Sequence, residues 1–212
     1  MATYVLVHGG GHGGWCYQRV ARILGSAGHE VFTPTLSGLG ERSHLMGPGI
    51  DLDTHITDIT SVLHHEDLRD VILVGHSYGG MVVTGVADRA ADRIGRLVYL
   101  DAANPVNNQS LVDVSGPIIE AVRPYGRVVD GVELVLFPDP EIVKLYGVTD
   151  PDDVAWMTER LTPHPWACFA PLGRPSIEPL PAPRGSSFTW RGCRTPPSAR
   201  TRCRWGRRGR SR

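Results

Sequence analysis

Val-Ile-Leu-Val-Gly-His-Ser-Tyr-Gly-Gly-Met, at residues 71–81, is the stretch that decides the fold. The continuous apolar run before Gly75 predicts a strand that is buried on both faces, as in a parallel sheet. The glycines of Gly75-x-Ser77-x-Gly79 leave room for a very sharp turn, and a helix is predicted to follow at once. This strand–turn–helix setting predicts a nucleophile elbow that raises Ser77 above the sheet. The structural alternative is a serine that caps a helix within a phosphate-binding turn.

Strands and helices alternate on both sides of this stretch. Apolar, β-rich runs predict strands over 3–8, 30–34, 70–75 and 96–101, and three- to four-residue apolar spacing predicts helices over 15–27, 51–65 and 78–91. Such alternation is typical of an α/β fold with a mostly parallel sheet, helices on both faces and right-handed crossovers. We expect the strands to lie in the spatial order second-first-third-fourth.

The character of the chain changes after residue 103. Residues 1–103 are predicted to form the α/β core. Residues 104–175, where Pro and Gly are frequent and helical patterns are short, are predicted to form a small helical cap over the sheet. Residues 176–212 are predicted to be a Pro/Arg-rich irregular tail. The last 29 residues contain no Val, Ile, Leu, Met or Tyr, so they offer nothing from which a strand or an amphipathic helix could be built.

Composition excludes several classes of protein. With 212 residues, 41% hydrophobic and 21% charged, the chain is predicted to be globular and to form one domain or a domain with a small insertion. No apolar run approaches the roughly 20 residues of a membrane helix. No basic segment precedes the first apolar run, so we expect a cytoplasmic protein. The four cysteines form no C-x-x-C pair, which predicts neither a metal site nor a disulfide framework, and no cofactor is expected.

A glycine cluster, residues 8–14, directly follows the first strand. The carboxyl ends of parallel strands share one edge of the sheet, which places this cluster beside Ser77. A backbone N–H of the glycine turn and the N–H of Tyr78, the residue after the serine, are then predicted to form an oxyanion hole. A dinucleotide-binding loop is the alternative, but no acidic residue ends the second strand, which reads Val-Phe-Thr-Pro.

These motifs resemble those of a known family. Val-Leu-Val-His-Gly-Gly-Gly-His-Gly-Gly-Trp at 5–15, Gly-Leu-Gly-Glu-Arg at 38–42 and Val-Gly-His-Ser-Tyr-Gly-Gly-Met at 74–81 are similar to motifs of the α/β-hydrolases. More narrowly, they resemble small bacterial esterases related to plant methyl-salicylate esterases and hydroxynitrile lyases. The resemblance covers about residues 3–180. It implies a helical cap, Ser77 as nucleophile and the N–H groups of Gly10 and Tyr78 as the oxyanion hole. It also implies that His12 organises the loop or lines the pocket.

The chain departs from the family pattern in its catalytic base, the group that must accept the proton of a serine nucleophile. In the family the acid follows a later strand and the histidine lies near the C-terminus. Here the last histidine is His164, and no carboxylate follows Glu178, so the C-terminal strands of the family are expected to be missing. Asp101, at the end of the fourth strand, is the best remaining candidate acid, although an aspartate there commonly caps or anchors a loop. No histidine is assigned as the base, because His76 is expected to support the turn and His164, between two prolines, is expected in a rigid loop.

Charge divides the chain sharply. All 22 acidic residues precede position 184, whereas residues 184–212 carry ten arginines and no lysine. An Arg/Gly/Ser/Pro/Thr composition is what a GC-rich gene yields when its reading frame shifts by one base. We therefore expect a frameshifted or wrongly assigned gene end after about Pro183. A basic tail that binds nucleic acid or an anionic surface is the alternative, but the tail holds no recognisable nucleic-acid-binding motif.

The function expected from these features is that of a serine carboxylic ester hydrolase, which acts on a small apolar ester through an acyl-enzyme on Ser77. The chain as written is expected to be slow or inactive because the histidine is absent. The expected partner is a small-molecule ester, with neither nucleic acid nor a membrane, and the oligomeric state is left open. One alternative is a catalytically impaired binding protein on the same fold. Another is a lyase of the hydroxynitrile-lyase type, but Gly9 lacks the hydroxyl that those lyases carry there, and the only lysine is Lys144.

Overall fold

Four parallel strands form the central sheet, and their spatial order is the predicted one. The computed structural model describes residues 1–170. The strands are β1 (Thr3–Val7), β2 (Glu30–Phe32), β3 (Val71–Ser77) and β4 (Ile94–Ala102). They lie in the order β2-β1-β3-β4, and every pair is parallel. The sheet therefore brings the carboxyl ends of β1 and β3, the two strands followed by glycine motifs, next to each other.

Two helices cover one face of the sheet and one helix lies on the other. The helices of the core are α1 (Gln18–Ser26), α2 (Leu52–His65) and α3 (Gly79–Arg89). The apolar positions of α2 recur at helical spacing, and Ile56, Ile59 and Leu63 are fully buried against α3 and the sheet. Burial of each such side chain stabilises the fold by about 1.5–3 kcal/mol. The α2 helix begins where Asp51 accepts a hydrogen bond from the Thr54 backbone N–H, as in a capping box.

The region after the core contains helices, as expected of the predicted small helical cap, and strands in addition. Three helices are present, namely α4 (Leu111–Val122), α5 (Pro140–Leu145) and α6 (Pro151–Thr158). A small antiparallel sheet accompanies them, in the order β5-β6-β7, and it consists of β5 (Arg127–Val129), β6 (Val132–Val135) and β7 (His164–Pro165). The expected loop at His164 is thus a short strand, in which His164 and Pro165 pair with β6. Proline is tolerated there because β7 lies at the edge of this small sheet.

The cap is attached to the core at the glycine loop after β1. The Thr162 backbone N–H donates to the Gly11 carbonyl at 2.9 Å. Phe169, also from the cap, is 1% exposed and belongs to the main core cluster. Cap and core therefore share buried surface around this loop.

Some predictions fall beyond the part of the chain that the structure describes. The tail at 176–212 and residues 171–175 of the predicted cap lie there, as does the expected change of reading frame after Pro183. Within residues 1–170, no helix is both long enough and apolar enough to cross a membrane.

Candidate functional site

The sharp turn predicted at Ser77 is present. Strand β3 ends at Ser77, whose φ of 53° lies in the left-handed region, and α3 begins two residues later. A side chain at Gly79 could not be accommodated, because its Cβ would stand 2.6 Å from the Val7 carbonyl oxygen. Backbone strain at a non-glycine residue is typical of a site that the surrounding structure holds in place. The Ser77 side chain is exposed at the carboxyl edge of the sheet.

The glycine loop after β1 lies against this turn. A Cβ built on Gly9 would be 3.0 Å from the Ser77 Cβ and 3.2 Å from the His76 Nδ1. Gly11, with a φ of 72°, gives the loop its bend. The absence of a side chain at Gly9 is therefore what allows the backbone of this loop to approach the serine.

His8 holds the first peptide group of this loop. Its Nδ1–H donates to the Gly9 carbonyl at 2.9 Å, and its Nε2 accepts the Leu36 backbone N–H at 3.1 Å. Both ring nitrogens thus form hydrogen bonds, which fixes the tautomer with its proton on Nδ1. Burial lowers the pKa of His8 to about 3, so the ring stays neutral at physiological pH.

Two other imidazoles hold the next peptide group, which joins Gly10 to Gly11. His12 donates from Nδ1 to the Gly10 carbonyl at 2.8 Å, and its ring stacks on Trp15 with centroids 5.6 Å apart. The Gly11 N–H donates to the Nδ1 of His164 at 3.2 Å. Because a trans peptide directs its C=O and N–H to opposite sides, these two bonds fix its orientation.

The two N–H groups predicted for the oxyanion hole are those of Gly10 and Tyr78. Within residues 1–170, neither one donates a hydrogen bond to a protein acceptor. Tyr78 stands before the first residue of α3, where backbone N–H groups have no partner inside the helix. One of these donors therefore belongs to the loop that packs against Ser77, and the other belongs to the residue that directly follows Ser77.

The Tyr78 side chain points into the core and is hydrogen-bonded there. It is 1% exposed, and its hydroxyl lies 2.9 Å from the Nδ1 of His55. The Nε2–H of His55 donates to the Ser37 carbonyl at 3.0 Å. Ser37 in turn donates to Asp58, through its backbone N–H at 2.6 Å and its hydroxyl at 2.9 Å. A chain of hydrogen bonds thus runs from the turn to α2.

His55, His164 and Cys168 form a buried group whose candidate ligand atoms all lie within 4.8 Å of one another. The sequence did not predict this cluster. Its donor set does not fit a metal well, because His55 Nδ1 accepts from Tyr78 and His164 Nδ1 accepts from Gly11. Burial also raises the pKa of the Cys168 thiol, whereas a metal requires the thiolate. The group is therefore arranged as a hydrogen-bonded part of the core.

The remaining candidates are Asp101, His76 and His164, and they differ in exposure. Asp101 is exposed at the carboxyl end of β4, with a φ of 45°. Burial lowers the pKa of His76, and the negative charge of Asp101 opposes that effect. His164 is 0% exposed and does not hang into an open pocket. Its Nδ1 is occupied by Gly11, which leaves it poorly placed to act as a base.

His55 is the residue that sequence inspection missed. Position 55 lies three residues after Leu52 and four before Ile59, so it occupies the apolar face of a helix that was predicted correctly. A histidine on such a face needs a buried partner, and this signal was available. Its partners at Tyr78 and Ser37 depend on tertiary packing.

Comparison with known proteins agrees with this geometry. The model of the alpha/beta hydrolase family matches residues 4–210. A carbendazim hydrolyzing esterase from Nocardioides sp. (strain SG-4G) is 58% identical over 112 residues, which are 53% of this chain and 46% of that relative. The pFDCC methylesterase MES16 of Arabidopsis thaliana is 29% identical over 195 residues, which are 84% of this chain and 72% of that relative.

Solved structures show the same architecture. The crystal structure of MES16 from Arabidopsis has a TM-score of 0.61 and 28% identity, and the match covers 80% of this chain and 69% of that one. Polyneuridine aldehyde esterase has a TM-score of 0.69 at 20% identity, over 84% of this chain and 74% of that one, and this likeness concerns the fold alone.

The chain belongs to the alpha/beta hydrolase family. It spans about half the length of the first curated relative that it matches.

Proposed function

We propose that this protein is a carboxylic ester hydrolase with Ser77 as its nucleophile. The observation that carries the proposal is the strained, exposed serine at the turn after β3, with the side-chain-free Gly9 packed against it. The names of the esterase relatives favour the same activity. The reaction class is therefore acyl transfer from an alcohol to water.

In the proposed reaction, Ser77 Oγ attacks the carbonyl carbon of the ester. The hydroxyl proton passes to a base, and the carbonyl oxygen gains negative charge that the N–H groups of Gly10 and Tyr78 stabilise. The C–O bond to the alcohol then breaks, and the alcohol leaves with a proton. Water next attacks the acyl-enzyme, releases the acid and restores Ser77. Asp101 is the proposed acid, and no histidine of residues 1–170 is assigned as the base.

The proposed substrate is a small, fairly apolar ester, and methyl esters are the first class to try. This choice follows the names of relatives, several of which are methylesterases. Tyr146 of the cap packs against His12 of the glycine loop, with ring centroids 5.7 Å apart, and aromatic surface near this loop supports an uncharged acyl group.

A non-catalytic binding protein on the same fold remains the second candidate. The observation in its favour is that His8 and His55 have both ring nitrogens committed to other partners, so neither is free to take the serine proton. A lyase remains the third candidate and has no supporting observation beyond the shared fold.

Covalent trapping tests the proposal directly. The chain is incubated with a serine-directed aryl phosphonate, and we expect mass spectrometry to find one phosphonyl group on the peptide that contains Ser77. Ser77→Ala should remain unlabelled, and Ser43→Ala, an exposed serine outside the site, should be labelled as the unmodified chain is. Equal labelling of Ser77→Ala, or no labelling of the unmodified chain over many hours, contradicts the nucleophile assignment.

A further inference from the structure

We propose that His55 and His164 are positioning residues for the oxyanion hole, a role that rests on the function proposed above. The hole has two arms, which are the turn that carries the Tyr78 N–H and the glycine loop that carries the Gly10 N–H. His55 acts on the turn through the Tyr78 hydroxyl, and His164 acts on the glycine loop through the Gly11 N–H. Neither imidazole is assigned to contact the substrate.

The direction of every hydrogen bond in the first arm follows from its partners. The Ser37 carbonyl can only accept, so the proton of His55 resides on Nε2. Burial keeps this ring neutral, which leaves Nδ1 as an acceptor and makes the Tyr78 hydroxyl the donor. The Tyr78 side chain is thereby anchored to α2, and its own backbone N–H, the proposed oxyanion donor, is fixed in orientation beside Ser77.

The second arm follows the same logic. The Gly11 N–H can only donate, so Nδ1 of His164 is the acceptor and the proton of this neutral ring resides on Nε2. This bond, together with the one from His12, fixes the Gly10–Gly11 peptide. The preceding peptide, whose N–H is the proposed donor of Gly10, is joined to this fixed peptide, and its own carbonyl accepts from His8.

The two arms meet in one packed cluster. The ring of His164 lies 4.8 Å from that of Tyr78 and 5.6 Å from that of His55, measured between centroids, and it stacks on Phe169 at 4.6 Å. A shift of His164 would move both the loop that it binds and the tyrosine that it packs against. Strand β7 of the cap thus places the buried ring of His164 against the glycine loop and Tyr78, but this ring does not line the exposed surface at Ser77.

A role in packing alone does not explain these residues. Among the described residues, the buried Nε2 of His164 has no hydrogen-bond partner. An apolar side chain would fill the same space without burying an unpartnered N–H, so the acceptor at Nδ1 is the feature that only a polar residue supplies.

Paired substitutions separate positioning from packing. Asparagine places an oxygen near the position of Nδ1, whereas glutamine places its amide nitrogen near that of Nε2. His55→Asn therefore keeps the acceptor for Tyr78, and His55→Gln keeps only the donor to Ser37. His164→Asn likewise keeps the acceptor for Gly11, and His164→Leu removes it. Tyr78→Phe removes the hydroxyl that donates to His55, and so it removes the same hydrogen bond from the tyrosine side.

The full chain and these variants are assayed on p-nitrophenyl acetate in imidazole buffer, with thermal unfolding to show that each is folded. We expect His55→Gln, His164→Leu and Tyr78→Phe to lower kcat by about ten- to a hundredfold, a part of the 10²–10³ that loss of a whole oxyanion donor removes. KM should stay within about twofold, because the oxyanion forms only in the transition state. The two asparagine variants should retain most of kcat.

Two measurements without turnover complete the test. Imidazole ¹⁵N spectra should show both histidines as neutral Nε2–H tautomers. Amide exchange at Gly11 should be slow in the unmodified chain and in His164→Asn, and fast in His164→Leu.

The outcomes distinguish the two proposals. If Ser77→Ala hydrolyses the ester as fast as the unmodified chain, the proposed function fails, while the spectra and amide exchange still decide the positioning role. If turnover depends on Ser77 but His55→Gln and His164→Leu leave kcat unchanged, the positioning role is overturned. Nδ1–H tautomers would overturn it equally.

Discussion

At the scale of single residues, the site is built from conformations and protonation states that an isolated chain would not adopt. Ser77 is held in the left-handed region, which costs a non-glycine residue about 1–3 kcal/mol. His8 is held neutral by burial. Both effects can be measured in the folded chain without any turnover.

Ser77→Gly should be more stable than Ser77→Ala by about 1 kcal/mol. Glycine relieves the strain at φ 53°, and the greater freedom of glycine in the unfolded chain offsets about 0.4–1 kcal/mol of that gain. The comparison of these two variants cancels the loss of the hydroxyl, which they share. Denaturant unfolding gives the free energies, and equal stability of the two variants would show that the turn is unstrained.

Stability should fall as the pH is lowered below about 6.5. The folded-state pKa of His8 is about 3, below its value of 6.5 in the unfolded chain, so the unfolded state binds the proton more readily. The stabilisation is therefore complete above pH 6.5 and is lost as the pH falls towards 3. Burial lowers the pKa of His12, His55 and His164 as well, which adds to the same trend.

His8→Gln is the matched control for this pH dependence. A glutamine oxygen near the position of Nε2 can still accept the Leu36 N–H but does not titrate. The slope of unfolding free energy against pH between 6.5 and 3 should be shallower in this variant. An unchanged slope would assign the acid sensitivity to other groups.

At the scale of elements, the β5–β6 hairpin is the part of the cap that the helical prediction missed. Its two-residue turn is Asp130-Gly131, with φ values of 48° and 79°, and positive φ at both positions is typical of a type I′ turn. Asp-Gly between two apolar runs is a recognised hairpin signal, so this element was open to prediction. The hairpin matters because β6 pairs with β7 and so places His164.

Gly131→Ala should destabilise the protein by about 1–2 kcal/mol, the cost of a left-handed conformation for an L-residue. Gly116→Ala is the control, because a Cβ on either glycine meets no atom within 4 Å and only Gly131 has a positive φ. Gly116→Ala, within α4, should be neutral or stabilising. Thermal melts followed by circular dichroism compare the two, and equal effects would remove the turn conformation as the cause.

At the scale of the whole molecule, a nucleophile and an oxyanion hole are proposed, but no base is assigned. Within residues 1–170, Ser77 Oγ donates no hydrogen bond to a histidine, and the sequence holds no histidine after His164. Serine hydrolases that lose their triad retain roughly 10³–10⁴-fold catalysis over water. We expect the 212-residue chain to hydrolyse activated aryl esters very slowly.

Added imidazole should restore part of this activity by accepting the serine proton. The protein-dependent rate on p-nitrophenyl acetate should rise with imidazole concentration, after subtraction of the rate without protein. Ser77→Ala should show no such rise. Fast turnover without imidazole would mean that a histidine in this chain is the base, and His164 and His12 would be the first to replace.

The sequence by itself determined the sheet and the turn at Ser77. Alternating apolar strands and amphipathic helices imply a parallel sheet with right-handed crossovers, and the observed strand order is the expected one. The turn follows from glycines within three residues of the serine, and so the information is local. The same motifs indicated the family to which the chain belongs.

Tertiary structure alone decided how the histidines are used. Gly11 and His164 are 153 positions apart, and His55 reaches Tyr78 from a different helix. No periodicity in the chain relates such residues, because their contact depends on how the cap packs on the core. Sequence could name the histidines, but only packing could show which ring nitrogen each one uses and which backbone group it holds.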